Sequence, residues 1–417
     1  MFRDNYICAL DIGSSKISAC VARIKKHRIV EVFFETAPSQ GIKRGAILNS
    51  FDTVEAITGL LKKLRNLSGI NIKFIYVNIS GQDIITRHSR AILPLAERGN
   101  KVITQYDIKN VNEQARILGS RLEEEIIHQI PFSYAIDSKD NIANPLGLYS
   151  HKLEVDLYLV CGKLSSIQSL VRAVNQAGYD IKDIFFSGIA TSVAVFNKEG
   201  NKGVTILCDI GSDITELLLF KDGSLRDISV LPIGGEDLTK GLCEELQIPF
   251  DLAEDVKISH AHAGDFHQIE ENKEILIKKN NVYKPIKQKL ICEIITAKTN
   301  ELCIAIKDAV DKIITINEVD NFITTGRTAL LEGFLETLEN TLGVPVGLGR
   351  ILNPDLTSLV NNDVLKGQKY LTYLTVLGMA SQALKKERPQ VLPNYQPPPN
   401  LFIRIFNRVK EAYQEYF

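Results

Sequence analysis

Apolar positions along the chain switch between periods of two and of three to four, and the switches mark its elements. Residues 6–10 and 17–24 are β-rich runs joined by Asp11-Ile12-Gly13-Ser14-Ser15-Lys16, which predicts a strand, a tight polar turn and a second strand. Over 53–66, Val54, Ile57, Leu60, Leu61 and Leu64 recur at helical spacing, and 74–79 returns to strand. Residues 83–162 read as an inserted subdomain, with a strand-like run at 84–92, a helix at 107–117 and apolar runs at 125–136 and 153–160. An amphipathic helix is expected at 165–177. The turn Asp209-Ile210-Gly211-Ser212-Asp213-Ile214-Thr215, between strands at 204–208 and 217–220, then repeats the pattern of Asp11 198 residues later, which predicts a duplicated fold. A strand, Gly326 and a helix follow over 322–341, and a helix over 370–386 ends the body.

Composition narrows the class. The 417 residues are 45% hydrophobic, and 49 Lys+Arg face 50 Asp+Glu for a net charge of −1. This balance excludes a chain too polar to fold and argues against a nucleic-acid partner, which requires an excess of cations to displace phosphate counterions. Seven widely spaced cysteines with no CxxC pair read as small buried residues in a reducing compartment. Residues 1–10 lack a signal-peptide pattern, and no run approaches the ~18 apolar residues of a membrane span, so a cytosolic protein is expected. His260, His262 and His267 read as part of a solvated loop rather than a metal site, and Glu123-Glu124-Glu125 as an exposed helix face.

The repeated hairpin suits phosphate chemistry. Glycine lets a turn bring its N–H groups close to a phosphate, and hydroxyls at Ser14, Ser15 and Thr215 can donate to phosphate oxygens. Asp11 and Asp209 can hold Mg2+ through water, while Lys16 balances phosphate charge. A single hairpin of this kind is more often a solvated turn; two in matched contexts point to a site.

The arrangement resembles the actin-like ATPase superfamily, an α/β, ribonuclease H-like duplicated fold whose two domains clamp a nucleotide. Within it, Leu231-Pro232-Ile233-Gly234-Gly235-Glu236-Asp237-Leu238-Thr239, Ala253-Glu254-Asp255-Val256-Lys257 and Phe186-Ser187-Gly188-Ile189-Ala190-Thr191-Ser192 resemble the FtsA family of bacterial cell division proteins, as do 76–81 and 125–131 at the borders of the insertion. The resemblance implies ATP and Mg2+ as cofactors. It places Asp11, Gly13, Ser14, Ser15 and Lys16 in a first phosphate loop and Asp209, Gly211, Ser212, Asp213 and Thr215 in a second, followed by Gly234 and Gly235. Glu254 and Lys257 would reach the ribose and base, Gly326 and Arg327 would form the adenosine loop, and Asp11 and Asp209 would hold the metal. It also implies subdomain 1A at 1–82 (completed by 163–196 and 360–388), 1C at 83–162, 2A at 197–235 (completed by 300–359) and 2B at 236–299. Three positions depart from the pattern: Ser212 and Asp213 replace glycines, Arg327 follows Gly326, and no carboxylate stands at Ser187-Gly188. Nucleotide binding with slow or absent hydrolysis is therefore expected, in an adaptor more than an enzyme.

Five of the 14 prolines fall within 389–399, an expected linker. Beyond it Leu401, Phe402, Ile405, Phe406, Val409, Ala412, Tyr413, Tyr416 and Phe417 line one face of a helix about 25 Å long, with Arg404, Arg408 and Lys410 mostly off that face. Too short and charged to span, it suits the headgroup boundary of an anionic membrane, and FtsA-like proteins end in such a helix. The resemblance further implies FtsZ, later division proteins and other copies of itself as partners, at the cytoplasmic face of the cell membrane at the division site. Three rivals share part of the pattern. A PilM-like adaptor of a pilus or secretion assembly has no need of the tail, an actin-fold small-molecule kinase needs a catalytic Asp for which no candidate stands out, and a DnaK-type chaperone needs a substrate domain for which the length leaves no room.

Overall fold

The computed structural model describes residues 6–387 except 97–98, 138, 198–201, 266–269, 271–272, 280–281 and 361; the expected linker and the amphipathic segment at 400–417 lie outside the described residues. Strands β1 (Tyr6–Ile12), β2 (Lys16–Lys25) and β3 (Arg28–Pro38) form an antiparallel meander. Helix α1 (Ser50–Ser68) packs across it, started by the Asn49 side chain, which accepts from the N–H groups of Phe51 and Asp52, and stopped by Gly69 in the left-handed conformation. β4 (Phe74–Ile79) then pairs with β1 in parallel.

The insertion follows as β5 (Ile84–Pro94), α2 (Gln105–Leu118), β6 (Glu124–Ile136), β7 (Lys139–Ile142) and β8 (Lys152–Lys163). Its antiparallel sheet runs β7-β6-β8-β5, and α2 buries Val111 and Ala115 on it. The chain returns through α3 (Leu164–Gln176) to β9 (Asp180–Phe186), parallel to β4, and α4 (Ser187–Val195).

A second body repeats the plan with β10 (Val204–Ile210), β11 (Thr215–Lys221), β12 (Ser224–Leu231), α5 (Gly235–Leu246), α6 (Phe250–His260), β13 (Glu274–Lys279), β14 (Val282–Lys287), α7 (Gln288–Ile313), β15 (Asn321–Thr325), α8 (Phe334–Leu342) and β16 (Val346–Leu348). The first sheet reads β3-β2-β1-β4-β9 and the second β12-β11-β10-β15-β16, so antiparallel and parallel neighbours fall in the same places. The duplication expected from the two turns extends to whole-sheet topology. Helix α7 buries Ile291, Ile295, Leu302, Ile306 and Val310 in the second core.

Helix α9 (Leu374–Glu387) crosses back to the first body, where Leu374, Leu377, Ala380 and Leu384 share a core with Ile7, Ala9 and Cys20. It touches α4 backbone to backbone, because a Cβ on Gly378 would lie 1.7 Å from the Ala190 carbonyl oxygen. All seven cysteines are unpaired and six are buried.

The acidic run at 123–125 is not an exposed helix face. Glu124 and Glu125 are 8% and 4% exposed at the start of β6, and Glu124 pairs with Arg87 from β5. Desolvating such a pair is tolerated only because each charge meets its partner directly.

Candidate functional site

The two turns close alike. Gly13 N–H donates to Lys16 O at 3.1 Å and Gly211 N–H to Ile214 O at 2.9 Å, while Ile12 pairs with Ile17 and Ile210 with Thr215 across the flanking strands. A Cβ on Gly13 would lie 2.9 Å from Lys16 O, and one on Gly211 3.0 Å from Ile214 O, too close for any other residue without a shift. Both turns face one cavity of about 1140 Å3 between the two bodies. Its wall brings together Asp11, Gly13, Ser14, Ser15, Lys16, Asp209, Gly211, Ser212, Asp213, Gly235, Glu254, Lys257, Gly326 and Arg327.

Thr215 and Gly234 are not on that wall. Thr215 stands at the position of Ile17, a strand position rather than a turn position, and its buried hydroxyl donates to Ile233 O at 2.8 Å. Gly234 works from behind. A Cβ there would meet Ser212 O at 2.5 Å, and its absence lets the start of α5 dock on the second turn, with Gly235 N–H donating to Gly211 O and Glu236 N–H to Ser212 O.

Asp11 accepts from Asn78 Nδ2 at 2.6 Å and from Ser18 Oγ at 3.3 Å. Desolvation pushes its carboxyl up to about 6, with Lys16 opposing and Asp209 adding to the rise. Desolvation likewise raises Asp209, which accepts from Thr191 Oγ1 at 3.4 Å. Lys16 donates to Thr372 O at 2.9 Å and is lowered to about 8 by desolvation. Two mutually repelling carboxylates with one neighbouring ammonium leave room for a further cation. Among the described residues no three His, Cys, Asp or Glu side chains gather as a metal cage. The donor set therefore fits Mg2+, which takes one or two carboxylates and completes its shell with water and ligand oxygens.

Glu254 and Lys257 pair at 2.6 Å, and Lys257 also donates to Gly235 O and Thr239 Oγ1. Gly326 has φ 87°, and a Cβ there would lie 2.1 Å from Ile210 O. Arg327 turns back across the cavity, with Nη2 3.4 Å from Ser15 Oγ, and so brings its charge to the first turn instead of crowding the opposite end. Asp213 does not turn to solvent. It is 6% exposed and accepts from Arg44 N–H at 2.8 Å, tying the second turn to the small hairpin at 42–47 of the first body. The hydrogen bond with Glu236, helped by those from Arg44 N–H and the Ser14 and Ser212 hydroxyls, holds its carboxyl low against desolvation, while Glu236 is pushed up by the same bond.

Residues missing from the expected set include Asn78, Ser80 and Glu216, all on the wall. Glu216 pairs across from Asp209; its Oε1 accepts from Ser80 Oγ at 2.7 Å, while Oε2 is buried beside Gly188 without a hydrogen bond of normal geometry. Burial pushes this carboxyl up to about 8. A carboxyl group that holds its proton at neutral pH thus stands next to Ser187-Gly188, delivered from β11. Its signal was a charged residue in the apolar strand TELLLF, seven positions after Asp209 as Ser18 is after Asp11. His260 and His262 line the far end of the cavity rather than a solvated loop, and His267 lies outside the described residues.

Comparison with known proteins agrees with this architecture. A family model described as "Cell division protein FtsA" matches residues 206–387, and one described as "SHS2 domain inserted in FTSA" matches 81–161. The cell division protein FtsA of Borreliella burgdorferi is 28% identical over 83% of this chain and 84% of its own. Those of Pseudomonas aeruginosa and Bacillus subtilis are 25% and 26% identical over 91% and 92% of this chain, and 90% and 84% of theirs. Among solved structures, a chain of the PilM–PilN type IV pilus biogenesis complex superposes with a TM-score of 0.63 at 16% identity, covering 91% of this chain and 98% of that one. Diol dehydratase-reactivating factor in its nucleotide-free form gives 0.52 at 11% identity, covering 91% and 100%. These neighbours share the actin-like α/β fold. The two matched family models and the curated relatives lead to one assignment: the chain belongs to the FtsA family of cell division proteins.

Proposed function

We propose that this chain is a membrane-tethering division adaptor that binds ATP with Mg2+ between its two bodies and hydrolyses it slowly or not at all. The observation that carries this is the pair of matched glycine turns, each following a recessed aspartate, on the wall of one cavity. In this reading the N–H groups of the turns and the Ser14, Ser15 and Ser212 hydroxyls cradle the phosphates, and Lys16 and Arg327 neutralise them. Asp11 and Asp209 orient the metal through water, Glu254 and Lys257 meet the ribose side, and Gly326 keeps the wall open to the nucleoside. Asp213 opposes a phosphate at the second turn, in keeping with weak turnover.

Nucleotide bridging the bodies favours a closed state that assembles with further copies, and the amphipathic segment of Leu401, Phe402, Ile405, Phe406, Val409, Tyr413, Tyr416 and Phe417 holds that assembly on anionic lipid. The chain thereby anchors FtsZ at the cytoplasmic face of the membrane, and the insertion at 83–162 recruits later division proteins.

Co-pelleting of the full chain and a chain ending at Pro399 with anionic liposomes and FtsZ, alongside ATP binding and phosphate release, tests the proposal. Only the full chain is expected to bring FtsZ down with lipid, and ATP is expected to bind without appreciable phosphate release. Equal lipid binding by both chains removes the tail anchor, absence of ATP affinity removes the nucleotide, brisk turnover removes the slow-ATPase reading, and failure to recruit FtsZ favours a PilM-like adaptor.

A further inference from the structure

Each sheet has an end opposite the paired turns, and there the two bodies differ in charge. β2 and β3 are joined through Lys25-Lys26-His27-Arg28, all four exposed, with Lys26 at φ 48° and His27 at φ 57°. The matched turn between β11 and β12 is Lys221-Asp222-Gly223-Ser224, with Asp222 at φ 50° and Gly223 at φ 73°. Two successive left-handed residues make a tight hairpin turn for which Asp-Gly is favoured, and Lys-His holds the same backbone against its preference. The cationic character continues along the strand ends. Lys73 precedes β4, where Asp320 precedes the matched β15. Its ammonium lies 5.4 Å from the ring centroid of Phe74, which is 47% exposed. Arg65, in the last turn of α1, is exposed and close to Tyr179, the residue before β9. Among the described residues the nearby carboxylates are Glu31, paired with Arg23 at 2.7 Å, and Asp180 at the start of β9. At the matched end of the second body Asp222 and Asp320, which accept from the Gly203 and Val204 N–H groups, balance Lys202 and Lys221.

The chain leaves the first body close to its cationic end. Lys386, in the last turn of α9, pairs with Asp183, which is three residues into β9 and so about 10 Å from the start of that strand. Residues 388–400 lead from there to the amphipathic segment and span at most about 45 Å. We propose that this end of the first body is a second lipid-contact surface, on which Lys25, Lys26, Arg28, Arg65 and Lys73 meet anionic headgroups and Phe74 enters the headgroup boundary. The inference rests on the reading that 401–417 holds the chain on lipid. The tether brings the surface within reach of the membrane. A tether alone leaves the body free to face any way, whereas a second contact fixes its orientation and adds avidity.

The test titrates the full chain and two double variants with vesicles of phosphatidylcholine, alone or with phosphatidylglycerol, at low and high salt. Lys25→Glu with Lys26→Glu reverses the proposed surface; Lys202→Glu with Lys221→Glu makes the same charge change at the matched end of the second body, and both are checked for unchanged thermal unfolding. The first variant is expected to bind the anionic vesicles about tenfold more weakly than the unmodified chain, with a shallower salt dependence, and to equal it on neutral vesicles. The second is expected to lose less than about twofold. Equal binding by the first variant and the unmodified chain overturns the inference and leaves the tail anchor standing, and if that variant also captures less FtsZ the surface belongs to an acidic protein partner instead. An equal loss in both variants, which reports net charge alone, or a loss on neutral vesicles overturns it as well. Failure of the unmodified chain to bind any vesicle overturns the tail reading, and the inference with it.

Discussion

The turn Gly13-Ser14-Ser15-Lys16 and the turn Gly211-Ser212-Asp213-Ile214 share a backbone and differ in charge. Each closes with the same hydrogen bond between its first glycine and its fourth residue, and each follows an aspartate on its strand. Where the first has Ser15 and Lys16, the second has Asp213 and Ile214, and where β2 has Ser18, β11 has Glu216. The first turn is cationic through Lys16 and borders the cavity. The second spends its carboxylate on Arg44 N–H, across to the other body. The two copies share their geometry and differ in charge, one carrying Lys16 and the other a carboxylate that ties the bodies together.

Four substitutions, two of them with a control at the matched position, probe that division. Gly326→Ala should have the largest effect, because the new Cβ meets Ile210 O at 2.1 Å and φ is 87°. A loss of about 3 kcal/mol or more is expected in urea unfolding, and a loss below about 1 kcal/mol would mean that the second turn is not braced from behind as the geometry requires. Lys16→Met should weaken ATP binding about a hundredfold, whereas Ile214→Met at the matched position should change it less than about twofold. Comparable losses measured by calorimetry would abolish the asymmetry.

Glu216→Gln sharpens the comparison through pH. The carboxyl is raised to about 8 in the folded chain from 4.5, so between those values the folded chain holds a proton that the unfolded chain has released. Wild type therefore loses stability as pH rises through that window and the glutamine variant does not. The gap should grow from pH 5 to pH 8, then level off. Ser18→Ala should show no such slope, and a flat difference for Glu216→Gln would place the carboxylate in water. Asp213→Ser, which gives the second turn the residue of the first, should have the smallest effect. ATP affinity should rise about tenfold while the nucleotide-free protein loses about 1 kcal/mol with the Arg44 contact; a fall in both would show that Asp213 helps the ligand.

The hairpins were legible because strand periodicity, a glycine and an aspartate are local signals, and their recurrence after 198 residues exposed the duplication. The failures came from long-range pairing. Nothing near Glu124 announces Arg87, so the acidic run read as a solvated face although it opens a buried strand. Thr215 looked like a turn hydroxyl until the cross-strand register placed it opposite Ile210, one step past the turn. His262 looked solvated because the cavity that encloses it is built partly from α7 and from the residues after β15. Asp213 could be recognised as out of place among expected glycines, but the backbone amide that receives it lies in the other body.

Helix α9 gives the first body a core made from both ends of the described chain, since Ile7 and Ala9 pack with Leu377 and Leu384. That body therefore cannot finish folding until α9 has been synthesised. At ~5–20 residues per second, roughly 10 to 40 seconds separate the emergence of α4 from that of the helix that covers it. The second body's sheet is built from a contiguous stretch, 204–348, and needs nothing from α9 to close. Until α9 arrives, the apolar side of α4 that it covers has no partner in the chain.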